Sequence, residues 1–286
     1  MKLTTDRNIL IVGMGLIGGS YARALTKQGF TVRCITRSQS SVDYAIQNGL
    51  IAEGTTKIDA EMIAKSGLIV FALYPHVFVD WIRENGHLLK QGTYLTDVTG
   101  VKGAVVSKIQ GMLPPGVEFI AAHPMAGREV YGVENSDERI FRNANYIVTP
   151  TERNTPDGIE LCRDLGKILG FARVSELTPT EHDRIIAYVS QLTHCIAVSL
   201  MTCNTDERLQ DYTGDSFRDL TRIARINEEM WSELFFLNKD ALIAQIDAFS
   251  GELNRIRTYL SDENGIKLKE MMKQSTAHRA LFDKPE

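Results

Sequence analysis

Ile9-Leu10-Ile11-Val12-Gly13-Met14-Gly15-Leu16-Ile17-Gly18-Gly19-Ser20 sets the fold class of this chain. Four apolar residues run directly into a GxGxxG pattern, and an amphipathic helix follows through about Lys27. In that setting Gly13 permits a tight turn, Gly15 lets backbone approach a pyrophosphate, and Gly18 lets the helix pack on the strand. The N–H groups of Leu16 and Ile17 open the helix at its positive dipole end, where an anion is favoured. A lone GxGxxG is weak evidence, but a strand, turn and helix at this spacing point to a dinucleotide site.

A second strand, Thr31 to Ile35, ends in Thr36-Arg37-Ser38. An NAD-selective site usually carries a carboxylate there to bond the ribose 2′-hydroxyl. None is present, and Arg37 with the hydroxyls of Thr36 and Ser38 can instead hold a 2′-phosphate, which favours NADP over NAD. The plain alternative is a solvated arginine on a turn.

The alternation continues. Ser66 to Leu73 reads as a strand, Tyr74-Pro75-His76 as its end loop, Val77 to Leu89 as a helix, Gly92 to Asp97 as a strand and Val101 to Met112 as a helix. Strands separated by helices at these intervals make a parallel, doubly wound sheet. Leu73 and Pro75 leave that sheet at the cofactor edge. His76 lies there too, but nothing in the sequence orients it, so a polar loop residue is expected.

A further apolar run, Val117 to Ala122, leads into His123-Pro124-Met125-Ala126-Gly127-Arg128-Glu129. An imidazole titrates near neutrality, so His123 is suited to take a proton. Pro124 disfavours helix for His123, which is therefore expected on a loop at a strand end. A histidine that merely satisfies a turn is the bland alternative.

Beyond Thr178 the strand signals cease. Thr178-Pro179-Thr180-Glu181 starts a helix reaching about Cys203, with Ser190 and His194 on one face and His182 displaced by roughly 80°. Its other positions are mostly apolar, so the helix is expected to be buried, with its polar side chains bonded to a ligand or to one another. Arg218 and Arg222 follow, four residues apart, and either can clamp a carboxylate; an Asp219–Arg222 surface pair is the alternative. Leu242, Ile246, Phe249, Leu253, Ile256 and Leu260 then form a heptad-like seam that needs a partner helix. A helical part of roughly 110 residues has little core of its own, which favours a homodimer.

The expected fold is therefore α/β: an N-terminal Rossmann-type doubly wound parallel sheet over residues 1–176, followed by an all-helical domain for dimerisation and substrate binding over 177–286. Across 286 residues the formal net charge is −4, which argues against nucleic acid or an anionic membrane as partner. No apolar run is expected to reach membrane-spanning length and no leader is apparent, so a cytoplasmic location follows by default. Cys34, Cys162, Cys195 and Cys203 form no CxxC pair and read as reduced packing thiols.

The glycine motif, His123-Pro124-Met125-Ala126-Gly127, His182-Asp183 with Ser190 and His194, and Thr221-Arg222-Ile223-Ala224 followed by Met230-Trp231 stand in the order seen in prephenate dehydrogenases. The chain resembles that family over nearly its whole length. The resemblance implies NAD(P)-dependent oxidative decarboxylation of prephenate to 4-hydroxyphenylpyruvate in tyrosine biosynthesis, or of arogenate to tyrosine. It implies His123 as the proton acceptor, Ser190 and His194 completing the pocket, Arg222 on a substrate carboxylate, Glu129 near the cleft entrance, and no metal.

Four positions depart from the family pattern. Gly100 stands where a serine usually bonds near the reacting hydroxyl, so Thr99 either substitutes or the contact is absent. Gln191 replaces a common histidine, and Arg128 and Tyr131 replace smaller hydroxylated residues. Arg128 is expected to add a second cation at the mouth of the site. A β-hydroxyacid or imine-reductase type of dehydrogenase is the alternative enzyme reading, and a non-catalytic NADP-binding regulator the alternative outside enzymes.

Overall fold

The computed structural model describes residues 2–283. Six strands, β1 (Ile9–Val12), β2 (Val32–Ile35), β3 (Glu53–Thr55), β4 (Leu68–Phe71), β5 (Tyr94–Asp97) and β6 (Glu118–Phe119), form one parallel sheet. Their order is β3-β2-β1-β4-β5-β6, so the winding reverses between β1 and β4. Such a switch point opens a crevice at the carboxyl ends of the strands. The crossovers are α1 (Leu16–Lys27), α2 (Gln39–Gln47), α3 (Ala60–Ala64), α4 (Pro75–Asn85) and α5 (Gly103–Met112).

Alternation along β1 explains why both faces are covered. Ile9 and Ile11 join a core with Tyr21, Leu25 and Val32, whereas Leu10 and Val12 join another with Ile69, Phe71 and Phe78. Period-two strands buried on both faces read as continuous apolar runs.

A second sheet departs from expectation. The chain leaves the first sheet at Ile120 and continues as β7 (Ala121–Pro124), antiparallel to β8 (Asn145–Thr149), which pairs parallel with β9 (Arg173–Glu176) across α6 (Pro156–Ile168). His123 thus lies inside a strand, opposite Ile147, and not on a strand-end loop. The extended backbone that Pro124 imposes suits a strand as well as a loop, and the pairing with β8 decides between them.

After a capping box at Thr178 and Glu181, one helix runs from Pro179 to Thr202. It comprises α7 (Pro179–Ile186), a single π-helical turn (Ala187–Leu192) and α8 (Thr193–Thr202). Contrary to expectation it is long and apolar enough to cross a membrane by length and composition, with 24 residues of which one 18-residue window has mean hydropathy 1.5, although polar residues interrupt the run. Nor is it wholly buried, since Tyr188, Val189 and Met201 are exposed.

Helices α9 (Asp215–Thr221), α10 (Glu228–Leu237), α11 (Lys239–Ser261) and α12 (Gly265–Ala280) complete the chain. By packing, the molecule divides into two compact units between Lys239 and Asp240. Helices α7 to α10 fall with the sheets because Asp183 bonds to Lys102 and Gly103, and Asn238 to Asp183. The second unit presents the seam of α11, where Phe249, Leu253 and Leu260 are exposed. Cys34 and Cys162 are buried packing thiols, but Cys203 is exposed, because the helix ends beside it.

Candidate active site

The glycine turn has the geometry its sequence requires. Gly13 sits at φ +98°, and a Cβ there would overlap the carbonyl oxygen of Ala72 and crowd Leu73. A Cβ on Gly18 would overlap the carbonyl oxygen of Gly13, whereas one on Gly15 would meet nothing within 4 Å. Gly15 caps α1 without a side-chain bond, so no side chain of the cap takes up the N–H groups of the first turn, which begins with Leu16 and Ile17. An uncapped helix start beside a glycine face that a side chain would fill fits a pyrophosphate.

At the end of β2 the three polar residues separate in role. The Thr36 hydroxyl accepts from Met14 N–H at 3.2 Å and braces the turn, and Ser38 caps α2 by accepting from Ser41 N–H. Arg37 is exposed and makes no ion pair or hydrogen bond among the described residues. Pro75 is the first residue of α4. His76 lies in that helix too and is oriented after all: Glu233 accepts from its backbone N–H at 2.7 Å and contacts its ring Nδ1 at 2.8 Å. The sequence could not reveal this partner, which lies 157 residues away.

His123 is held from behind by a buried chain of polar groups. Its Nδ1 lies 2.9 Å from His182 Nε2, and His182 Nδ1 lies 2.8 Å from Asp183 Oδ1. Asp183 in turn accepts the backbone N–H groups of Lys102 at 2.8 Å and Gly103 at 2.7 Å. Beside this chain Lys102, fully buried, donates to Asp97 at 2.8 Å and to the carbonyl oxygen of Ala122 at 2.6 Å. Asp97 also accepts Ala122 N–H at 3.1 Å, so the strand that carries His123 is pinned on both sides.

Burial, then the neighbouring His182 and Lys102, hold His123 well below the usual histidine range. Burial also lowers His182, opposed by Asp183, and lowers Lys102, opposed by Asp97. An ion pair inside a low dielectric persists only if further hydrogen bonds satisfy its members, as they do here.

The free edge of His123 looks toward Gly100. A Cβ built on Gly100 would lie 3.9 Å from His123 Nε2 and 3.5 Å from Leu234 on α10. The Thr99 hydroxyl, considered as a stand-in for the usual serine, has its one hydrogen directed to Asp97 and the carbonyl oxygen of Val101. Gln191 is engaged as well: it donates to Leu234 O at 3.0 Å and accepts from Asn238 at 2.8 Å.

A second group gathers around Arg222. Its guanidinium donates to Glu129 at 2.6 Å, with the two side chains 63% and 39% exposed. This replaces the Asp219 pairing weighed from the sequence. His194 stacks on Trp231 with ring centroids 3.7 Å apart, and its Nδ1 lies 2.9 Å from the carbonyl oxygen of Ser190. Burial lowers His194, with smaller opposed effects of Glu129 and Arg222 placing all three in one neighbourhood. Ser190 is only partly buried. Arg128 does not supply a free cation, since it pairs with Asp137 at 3.3 Å. That carboxyl, held down at about 2 chiefly by Arg139, is already shared.

A glycine turn at the switch point, with a buried polar chain behind an imidazole, belongs to a dinucleotide-dependent α/β oxidoreductase with a helical C-terminal part. The chain belongs to the prephenate dehydrogenase family: the family's nucleotide-binding domain matches residues 21–175 and its dimerization domain residues 178–274. The chain is 29% identical to a prephenate dehydrogenase of Bacillus subtilis over 95% of its length and 75% of that protein. It is 27% identical to a cyclohexadienyl dehydrogenase of Zymomonas mobilis, covering 97% of this chain and 96% of that one. The crystal structure of prephenate dehydrogenase from A. aeolicus, in complex with hydroxyphenyl propionate and NAD+, superposes with a TM-score of 0.90 at 28% identity, covering 99% of this chain and all of that chain.

Proposed function

We propose that this chain oxidatively decarboxylates a cyclohexadienol, prephenate before arogenate, with an oxidised nicotinamide cofactor. The observation that carries the reading is His123 Nε2, lowered toward its neutral form and facing the space left by Gly100. A base must be unprotonated at working pH and within reach of the proton it takes.

When bound, the cofactor accepts a hydride from the carbinol carbon. The open first turn of α1 holds its pyrophosphate and Arg37 a 2′-phosphate, which favours NADP. His123 Nε2 draws the hydroxyl proton as the carbon–oxygen bond gains double-bond character. The ring carboxylate leaves as carbon dioxide, its bonding pair enters the ring, and the proton returns to what is then a phenolic oxygen. Arg222 exchanges Glu129 for a substrate carboxylate, and His194, stacked on Trp231, and the partly buried Ser190 complete the wall. Aromatisation supplies the driving force, so orientation and one proton are the protein's main tasks.

The functional boundary stays at 176/177, with residues 177–286 serving substrate binding and dimerisation in a cytoplasmic homodimer. The exposed apolar seam on α11 supports the dimer. Assaying prephenate and arogenate, each with NADP+ and NAD+, tests the reading. We expect reduced-nicotinamide absorbance with prephenate, and loss of turnover in His123→Asn with cofactor affinity kept. Turnover unchanged in that variant would remove His123 from its role.

A further inference from the structure

We infer that His182 and Asp183 act as a one-way hydrogen-bond relay that fixes the tautomer of His123, with hydrogen on Nδ1 and the lone pair on Nε2. The function of that lone pair rests on the reading above, but its location does not.

The direction of the relay is set at its far end. Asp183 Oδ1 accepts Lys102 N–H and Oδ2 accepts Gly103 N–H, and backbone donors cannot turn round. These amides open α5, so both carboxyl oxygens face fixed donors. Asp183 is therefore only an acceptor, and His182 Nδ1 must donate to it. A neutral imidazole carries one ring hydrogen. With that hydrogen on Nδ1, His182 Nε2 is an acceptor and His123 Nδ1 must donate across 2.9 Å. One lone pair remains, on His123 Nε2, at the face that Gly100 leaves open.

The surroundings keep His182 neutral. It is fully buried, and burial together with the Lys102 charge disfavours a cation there, against Asp183 and the more distant Asp97. The groups facing the pair are thus Asp183 on its own helix, and Lys102 and Asp97 from the β5 side. From α10 apolar Leu234 lies beside Gly100. A proton arriving on His123 Nε2 finds Nδ1–H already in place and His182 already accepting, so no group has to turn. His182 and Asp183 are positioning residues in this scheme, because neither touches the reacting atoms.

The test uses the full chain with ¹⁵N-labelled histidine and long-range ¹H–¹⁵N correlation near neutral pH, with His123 assigned through His123→Asn. We expect His123 Nδ1 to be pyrrole-like and Nε2 pyridine-like. The reverse pattern would overturn the relay whatever the activity. A second arm compares His182→Leu, which removes the acceptor, with His182→Gln, whose side-chain oxygen stands near the lost Nε2. Leucine should lower kcat by roughly 100-fold, on the scale of a general base's contribution, and leave KM little changed. Glutamine should restore much of the rate and the wild-type His123 pattern. Equal losses in both variants with the His123 pattern unmoved would refute positioning. Inactivity of the wild type on every cyclohexadienol would instead sink the proposed function, while the spectrum still decides the relay.

Discussion

Replacing Lys102 by methionine is the sharpest probe of how the site is built. The lysine side chain is wholly buried, and its ammonium group bonds Asp97 at 2.8 Å, Thr99 Oγ1 at 3.2 Å and Ala122 O at 2.6 Å. Methionine fills nearly the same volume, so packing is conserved and the electrostatic loss stands alone. Asp97 would keep its bonds from Ala122 N–H, Thr99 N–H and the Thr99 hydroxyl, but its charge would be uncompensated. The Ala122 carbonyl would also lose a donor. Removing one member of a buried pair costs about 3–5 kcal/mol, and an unsatisfied buried carbonyl about 1–3. The two overlap, because both report one missing ammonium, so a total of about 4 kcal/mol is expected. Urea unfolding at fixed protein concentration, which holds any subunit equilibrium constant, measures it. Adding Asp97→Asn to Lys102→Met should recover part of the loss by removing the stranded charge. A cost under about 1 kcal/mol with unchanged m would mean that the pair is solvated, and the pinning of β7 would fail with it.

Four further outcomes follow from the same geometry. Gly100→Ser should fold and turn over within about tenfold of wild type, because its Cβ meets Leu234 at 3.5 Å and His123 Nε2 at 3.9 Å, both ordinary contact distances. Gly100→Leu should abolish substrate turnover while cofactor titration stays normal; retained turnover would show that the substrate lies elsewhere. Stability should fall as pH drops below about 6.5, the unfolded histidine value. His123 and His182 are both depressed by burial, so the unfolded chain binds protons first, and their stabilising effect, complete above that pH, is lost down through the folded values. The acid limb of kcat/KM should likewise lie below the usual histidine range, and a limb above it would exclude His123 as its source.

The parts legible in the sequence are those governed by local chemistry. Gly13, Gly15 and Gly18 each have a steric reason that one strand, one turn and one helix suffice to state, and the parallel sheet follows from their repetition. The second sheet was not legible, because β7 finds its partner β8 only after the intervening segment 125–144, and antiparallel pairing leaves no mark at that separation. The histidine faces were legible only in part. Counting 3.6 residues per turn sets His182 about 80° from the face shared by Ser190 and His194, and His182 does meet His123 apart from the other two. The π-helical turn at Ala187–Leu192 between them, which shifts the phase, left no mark in the sequence. Thr99, Gln191 and Arg128 read as available polar groups because a sequence does not show which hydrogen bonds are already spent.

The two halves of the site differ in how freely they can rearrange, and that difference suits the proposed chemistry. Behind His123 the side chains of His182, Asp183, Lys102 and Asp97 are buried and bonded, so moving the imidazole means breaking several bonds inside a low dielectric, each costly to leave unmade. Around Arg222 the single strong contact is an ion pair to Glu129 with both partners partly exposed. A pair of that kind is worth about 1 kcal/mol or less, so a ligand carboxylate can take the place of Glu129 at little cost. Glu129, once displaced, remains beside the pocket as a free carboxylate. An ammonium group on the substrate side chain would then find a counter-ion that a ketone cannot use. On the proposed chemistry the rigid half handles the proton and the exchangeable half discriminates between prephenate and arogenate, so Glu129→Gln should weaken arogenate more than prephenate.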